Sequence, residues 1–403
     1  MRIAVEFGRE RLEVEVAPER LVRERPAVAP PLADPSAAVR AALDEPFHFP
    51  PLRRALTPDD QVAVVVDESL PDVGRLLTPV LEHITLAGVA PERITMVCPA
   101  RASRQPWLDD LPEALEEVRV EVHDPADRKR LAYLATTKDG TRLYLNRTVV
   151  EADQTVVLSS RRYDPLLGYS GAEGLLYPIL SDALTLAEMN ARIKFAAPGG
   201  TTWPVRQHAI ETAWLLGAPF FVQVIEAAAD GIAAVVTGVR EASAEAERLL
   251  DARWRQTAPA ARIVVAGLSG DPARQTFADL AAAAACAARV VETDGVIVLL
   301  SRVGVGPGSP GGDLLRGAGE PELALNALRS QQTVELVPEL RWAAAACRAR
   351  IYLLSALDEE TTESLYATPL SNAAQVQRLL DAAPTCLFLD DAHKALAICD
   401  TDV

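Results

Sequence analysis

Four consecutive residues, Arg161-Arg162-Tyr163-Asp164, all carry side chains able to take part in binding. Planar guanidinium groups hold carboxylates and phosphates through paired hydrogen bonds, so two adjacent arginines suit the capture of an anion. A solvated rim carrying an Arg–Asp pair accounts for the same residues. Asp67 and Ser69 follow the β-branched run Val62 to Val66 and fall at a strand's carboxyl end, where open α/β sheets take ligands. They suit capping of the next helix equally well. Gly304 to Gly312 is glycine-rich but lacks a Gly-Lys-[Ser/Thr] ending, and its prolines remove amides that a phosphate cradle needs, so it reads as a loop. His208 on a predicted helix and the pair His123-Asp124 read as structural. No Ser/His/Asp, Cys/His or metal-ligand spacing stands out. Only Lys129, Lys138, Lys194 and Lys394 could serve as a covalent amine.

The elements that must position these groups follow from patterning. A chain of 403 residues exceeds one ordinary core and suggests two domains. Residues 1 to about 58 read as a strand hairpin followed by an extended, proline-rich arm. Val62 to Val66 reads as a strand covered on both faces, with a helix over Val73 to Ala87 and a strand over Arg93 to Cys98. A helix at Leu108 to Leu115 and strands at Val118 to His123 and Thr155 to Ser159 continue the alternation. Beyond a composition shift near Thr257 to Ala260, strands begin at Arg262, Gly295, Ile351 and Thr385, with helices at Asp279 to Ala288, Trp342 to Arg348 and Ala373 to Ala382. Alternating strands and helices predict an α/β fold of two domains, 1–258 and 259–403, with mostly parallel sheets and an interdomain cleft.

A net charge of −16 argues against a nucleic-acid surface and against docking on anionic lipid. The N-terminus has no signal-peptide design and no apolar run is long enough to span a bilayer. Five scattered cysteines suit a reducing compartment, so a cytoplasmic location is expected.

Gly168-Tyr169-Ser170-Gly171-Ala172-Glu173-Gly174-Leu175-Leu176-Tyr177-Pro178-Ile179 closely resembles a segment of the nickel-dependent lactate racemases, the LarA type, whose pattern runs Gly-Phe-Ser-Gly-Gly-Pro-Lys-x-Ile-Leu-Pro-Gly. Asp67-Glu68-Ser69-Leu70-Pro71 is similar to that family's Asp-x-Thr-Arg-Pro. Gly140 to Arg147 and Glu151-Ala152-Asp153 are similar to its Gly-Thr-Pro-Val-Tyr-x-Asn-Arg and Glu-Ala-Asp. Val5 to Gly8, Pro50-Pro51-Leu52, Pro204-Val205-Arg206 and Asp230-Gly231 also fit. The resemblance implies a LarA-like fold and a family reaction in which a tethered nickel-pincer nucleotide accepts hydride from a 2-hydroxy acid while histidines act as bases.

The sequence departs from the family at each working position. The tether lysine falls on Gly174, the carboxylate-binding arginine on Leu70, the two bases on Ser103 and Asp164, and the nickel histidine near Asn190. The lysine of a Gln-x-x-Lys helix motif falls within Asp279 to Ala283, where none exists. No cofactor and no metal site are therefore expected. The first reading is a non-catalytic paralogue that associates with itself or an active relative. A second is a cofactor-independent enzyme or binder acting on a small carboxylate, with Asp67, Ser69, Arg104, Arg161, Arg162, Asp164 and Ser170 lining the cleft. A third is an active 2-hydroxy-acid racemase.

Overall fold

Val62–Val66 is buried along its whole length, as an all-apolar β-branched run covered on both faces must be. In the computed structural model it is the first strand of a six-stranded sheet. The model describes residues 1–24, 29–99, 105–138, 140–190, 192, 203–331 and 336–400. Strand order across this sheet is Ile232–Gly238, Phe220–Glu226, Gln154–Ser160, Val62–Val66, Ile94–Cys98 and Arg119–Val122. Only Ile232–Gly238 runs antiparallel to its neighbour.

Side chains alternate between the faces of this sheet. Val62, Val64, Val66, Val156, Val222 and Val224 pack beneath helix Val73–Thr85 and its Leu76, Leu77, Val80, Leu81 and Ile84. Ala63, Val65, Val157 and Phe221 form the opposite core with Ala172, Leu175 and Leu176. Each large aliphatic group removed from water contributes about 1.5–3 kcal/mol.

A second, five-stranded sheet is parallel throughout. It is ordered Ala367–Pro369, Arg350–Leu354, Val291–Leu300, Ala261–Gly267 and Cys386–Leu389.

The chain divides into two compact units, and the division differs from the expected cut at residue 258. One unit comprises Met1–Ala29, Ala228–Asp230 and Trp254–Val403; the other comprises Pro30–Ala227 and Gly231–Arg253. The N-terminal hairpin, Arg2–Phe7 paired with Glu10–Glu15, belongs to the unit built on the second sheet. Ile3, Val5, Phe7, Leu12 and Val14 share a core with Ile263, Val265, Val298 and Phe388. Half of the hairpin is apolar with period two, and local sequence does not say which sheet takes that face.

Three further differences have local causes. The arm expected to be extended contains helix Pro35–Asp44, where Asp34 accepts from Ala37 N at 3.1 Å. Its proline occupies the first turn, where a missing N–H costs nothing. Strands Phe220–Glu226 and Ile232–Gly238 were not foreseen. Of the glycine-rich loop, Gly311 and Gly312 open helix Gly311–Gly317. Among the described residues no helix is long and apolar enough to cross a membrane.

Gly267 tests the placement of the hairpin. A Cβ at this position would lie 2.5 Å from Glu6 O and 2.7 Å from Val5 Cγ1. Gly267→Ala is expected to destabilise the protein by about 1–3 kcal/mol, the cost of overpacking a closed contact. Denaturant unfolding measures this, and an unchanged midpoint would remove the close approach of the hairpin to the sheet.

Candidate functional site

In the first sheet the chain leaves Val62–Val66 toward Ile94–Cys98 on one side and later returns to place Gln154–Ser160 on the other. The carboxyl ends of Val62–Val66 and Gln154–Ser160 therefore flank the switch point where such sheets take ligands. Asp67 stands there. Its N–H donates to Leu158 O at 2.9 Å, and its carboxylate accepts from Ser160 N at 3.1 Å and Ser69 N at 3.0 Å as well as from the Ser69 hydroxyl. Neither residue caps helix Val73–Thr85, whose N-cap position is Asp72.

Arg162 joins the same cluster. Its Nε donates to Glu226 Oε1 at 2.7 Å, and its terminal nitrogens donate to Ser69 Oγ and Ser69 O, each at 3.2 Å. Ser160 Oγ donates to Glu226 Oε1 at 2.8 Å. Glu68, beside Asp67, accepts from Trp107 Nε1 at 3.2 Å, and burial raises its carboxyl above the usual range. The Arg162 guanidinium is thus already bonded through all three nitrogens, with Glu226 its paired carboxylate and Asp67 joined to the cluster through Ser69 and Ser160. Among the described residues this is a closed cluster with an acidic balance, poorly suited to a carboxylate ligand.

Arg161 does not act with Arg162. Adjacent residues of an extended chain point to opposite faces, and Arg161 is buried at 2% exposure. One terminal nitrogen donates to Ser170 O at 3.1 Å and Gly171 O at 3.2 Å and lies 3.6 Å from Glu173 Oε2; the other pairs with Glu247. Glu247 also pairs with Arg206, and Ser243 donates to Glu173 Oε1 at 2.8 Å. The expected pair of arginines holding one anion is replaced by two separate clusters, both internally bonded.

The segment matching the racemase tether is the turn that Arg161 holds. Gly171 is required: a Cβ there would lie 2.1 Å from Ser160 O. Ala172 occupies φ 46° and ψ −118°, a conformation that glycine adopts more easily, and its N–H donates to Ser159 Oγ at 2.8 Å. Ser170 N–H donates to Arg162 O at 2.8 Å. Gly174 is buried in helix Glu173–Leu176, and a Cβ there would meet Leu167 Cδ1 at 2.5 Å. Asp164, at the expected base position, accepts from Leu166 N and Leu167 N, both at 2.8 Å. Leu70, at the expected arginine position, is buried at 2% exposure. Asn190 ends helix Ala183–Asn190. Ser103, Arg104 and Lys194 lie outside the described residues.

A lysine-tethered nickel-pincer nucleotide does not fit residues of this kind. Position 174 carries no amine, and the space before its Cα is taken by Leu167. Among the described residues no three His, Cys, Asp or Glu side chains are grouped so as to hold a metal ion.

The second sheet has its own switch point, between Ala261–Gly267 and Cys386–Leu389. Ala229 N donates there to Ser269 Oγ at 2.9 Å and Asp391 Oδ2 at 3.3 Å, and Lys394 Nζ donates to Ala229 O. The chain's own segment Ala228–Asp230 fills that place.

Sequence reasoning missed Glu173, Glu226, Glu247, Arg206 and Asp251. Glu173 did carry a signal, because a carboxylate inside an apolar stretch must find a buried partner.

Fold and site together define a two-unit α/β protein with parallel sheets and polar clusters at the strands' carboxyl ends. Residues 7–193 match the family model described as the lactate racemase N-terminal domain. Residues 7–193, just under half of the chain, therefore carry the sequence signature of that domain. The whole fold is similar to the lactate racemase apoprotein from Thermoanaerobacterium thermosaccharolyticum, with TM-score 0.82 and 16% identity over 98% of this chain and all (100%) of that one. It is also similar to a protein from Thermotoga maritima, with TM-score 0.67 and 11% identity over 93% of this chain and 100% of that one. No curated protein matches the chain in sequence.

His123 gives this region a pH signature. It is 1% exposed, with Nε2 at 3.0 Å from Ser181 O, and burial lowers its pKa below 6.5. His83 is lowered by burial and by Arg53. Both rings resist protonation in the fold relative to the unfolded chain, which takes up protons near pH 6.5. Their contribution to stability is therefore full above that value and is lost as pH falls below it. The unfolding free energy should drop between pH 7 and pH 5, with up to about 1.4 kcal/mol per pH unit from each ring. In His123→Gln the slope should be shallower by one ring's share; an unchanged slope would show that His123 is not held neutral.

Proposed function

We propose that this protein is a non-catalytic member of the lactate racemase family, without the nickel-pincer nucleotide and without 2-hydroxy-acid racemisation. It acts as a binding or partner subunit, with itself or with an active relative, and a reducing cytoplasm suits its five free cysteines. The observation that carries this reading is residue 174: covalent attachment through an amine needs a lysine side chain, and the chain offers glycine with Leu167 seated against it.

Four other positions support it. Leu70 donates nothing to a carboxylate, Asp164 is engaged in capping its own turn, and Arg161 and Arg162 are bonded to the protein's own carboxylates. The last point favours a partner subunit over a binder of small carboxylates. A ligand would have to break a hydrogen-bonded guanidinium–carboxylate pair before making its own, and removing one partner of such a pair costs about 3–5 kcal/mol when it is buried.

Intact-mass spectrometry and metal analysis of the purified full-length protein test the reading. The expected mass is that of the polypeptide alone, with nickel far below one equivalent. A covalent nucleotide adduct accompanied by stoichiometric nickel would overturn it. Thermal unfolding with millimolar lactate is expected to show no shift; a saturable rise would instead establish the carboxylate-binding reading.

A further inference from the structure

We infer that Leu167 is the built-in occupant of the side-chain slot at residue 174, and that the short hairpin carrying it has become a packing device. This inference rests on the reading that residue 174 bears no cofactor, and it concerns what stands in that place.

The hairpin pairs Tyr163 with Tyr169 and Asp164 with Gly168. Both its tyrosine hydroxyls donate to a single carboxylate: Tyr163 to Asp251 Oδ1 and Tyr169 to Asp251 Oδ2, each at 3.0 Å. The two rings lie 5.8 Å apart, and the Arg206 guanidinium sits 5.2 Å from the centre of the Tyr169 ring. At the tip, Asp164 accepts the N–H groups of Leu166 and Leu167 and so fixes the backbone from which Leu167 projects.

Leu167 is 5% exposed and packs among Leu143, Leu145, Tyr177, Met189 and Val205. Its Cδ1 ends where a Cβ on residue 174 would begin. A lone methyl at the end of a leucine can usually swing aside, but here its backbone is held by Asp164 and its other neighbours are buried. Side chains in such a core shift only by displacing further groups.

The position expected for a catalytic base, Asp164, therefore serves to aim Leu167, and Gly174 is the socket that receives it. An empty tether position would need only the loss of lysine. A filled one requires leucine and glycine to have been adjusted to each other, so the two residues must be coupled in stability.

A double-mutant cycle in the full-length protein reads that coupling. Gly174→Ala is expected to lower Tm in the parent and to raise it in a Leu167→Ala background, because the added methyl group enters the space the leucine has left. This reversal of sign is specific to direct occupancy. Helix propensity alone would make Gly174→Ala stabilising in both backgrounds, and general disruption would make it destabilising in both; either result, or no effect in the parent, would overturn the inference. Should Leu167→Ala fail to fold, Leu167→Val also withdraws Cδ1 and takes its place. Intact mass decides whether residue 174 carries a cofactor and the cycle decides what fills its slot, so the two readings fail separately.

Discussion

The buried guanidinium of Arg161 is the constraint from which the rest of the site beside the first sheet is built. Removing such an ion from water costs several kcal/mol unless opposite charge and hydrogen-bond acceptors are brought to it. Glu173 comes from the turn, Glu247 from helix Arg240–Trp254, and the carbonyl oxygens from Ser170 and Gly171. One cation thereby ties the end of a central strand, a glycine turn and a helix into one body. Glu247 in turn fixes Arg206 and the helix Pro204–Leu215 that carries it. One turn along its own helix, Asp251 receives the two tyrosine hydroxyls of the short hairpin. Two arginines and two glutamates balance in charge, and Arg161 Nε is left without a partner among the described residues.

Much of the architecture was legible because apolar strands and amphipathic helices declare themselves locally. Val62–Val66 and helix Ala373–Ala382 lie where period and composition place them. Strand Phe220–Glu226 was hidden by Gln223 and Glu226, polar residues within an otherwise apolar run. Both are buried all the same: Glu226 finds Arg162, whereas neither amide atom of Gln223 has a partner among the described residues. The N-terminal hairpin was placed with the wrong unit because its partner strands lie more than two hundred residues away in sequence. Period-two patterning says that a face is buried and cannot say against what.

The surroundings of the candidate residues were less legible than their places along the chain. Asp67, Ser69, Arg161 and Arg162 follow strand ends of the first sheet, whereas Asp164 lies in a separate short hairpin and Ser170 just after it. Their chemistry depends on acceptors supplied from far along the chain, and nothing local to Glu226 or Glu247 said which arginine each would meet. Adjacent arginines invite a reading as one clamp, yet the alternation of an extended backbone divides them between two clusters. Asp164 offers the same lesson at short range, since its carboxylate is satisfied by amides two and three residues ahead. A side chain able to do chemistry is available for it only when its local hydrogen bonds leave an atom to spare.

The turn itself is shaped by its surroundings more than by its own side chains. Gly171 approaches Ser160 O too closely for any side chain, and Ala172 retains a glycine-like backbone although it carries a Cβ. Holding a non-glycine residue there costs of order 1–3 kcal/mol, which persists only when the surroundings over-determine the conformation. The surroundings here are Ser159, which takes the Ala172 N–H, and Arg161, which takes the carbonyl oxygens just before it. The turn's shape is therefore enforced by the strand end beneath it and owes nothing to the side chain at residue 174. Geometry held in this way leaves position 174 free of any part in shaping the turn, and the glycine there is a packing contact with Leu167.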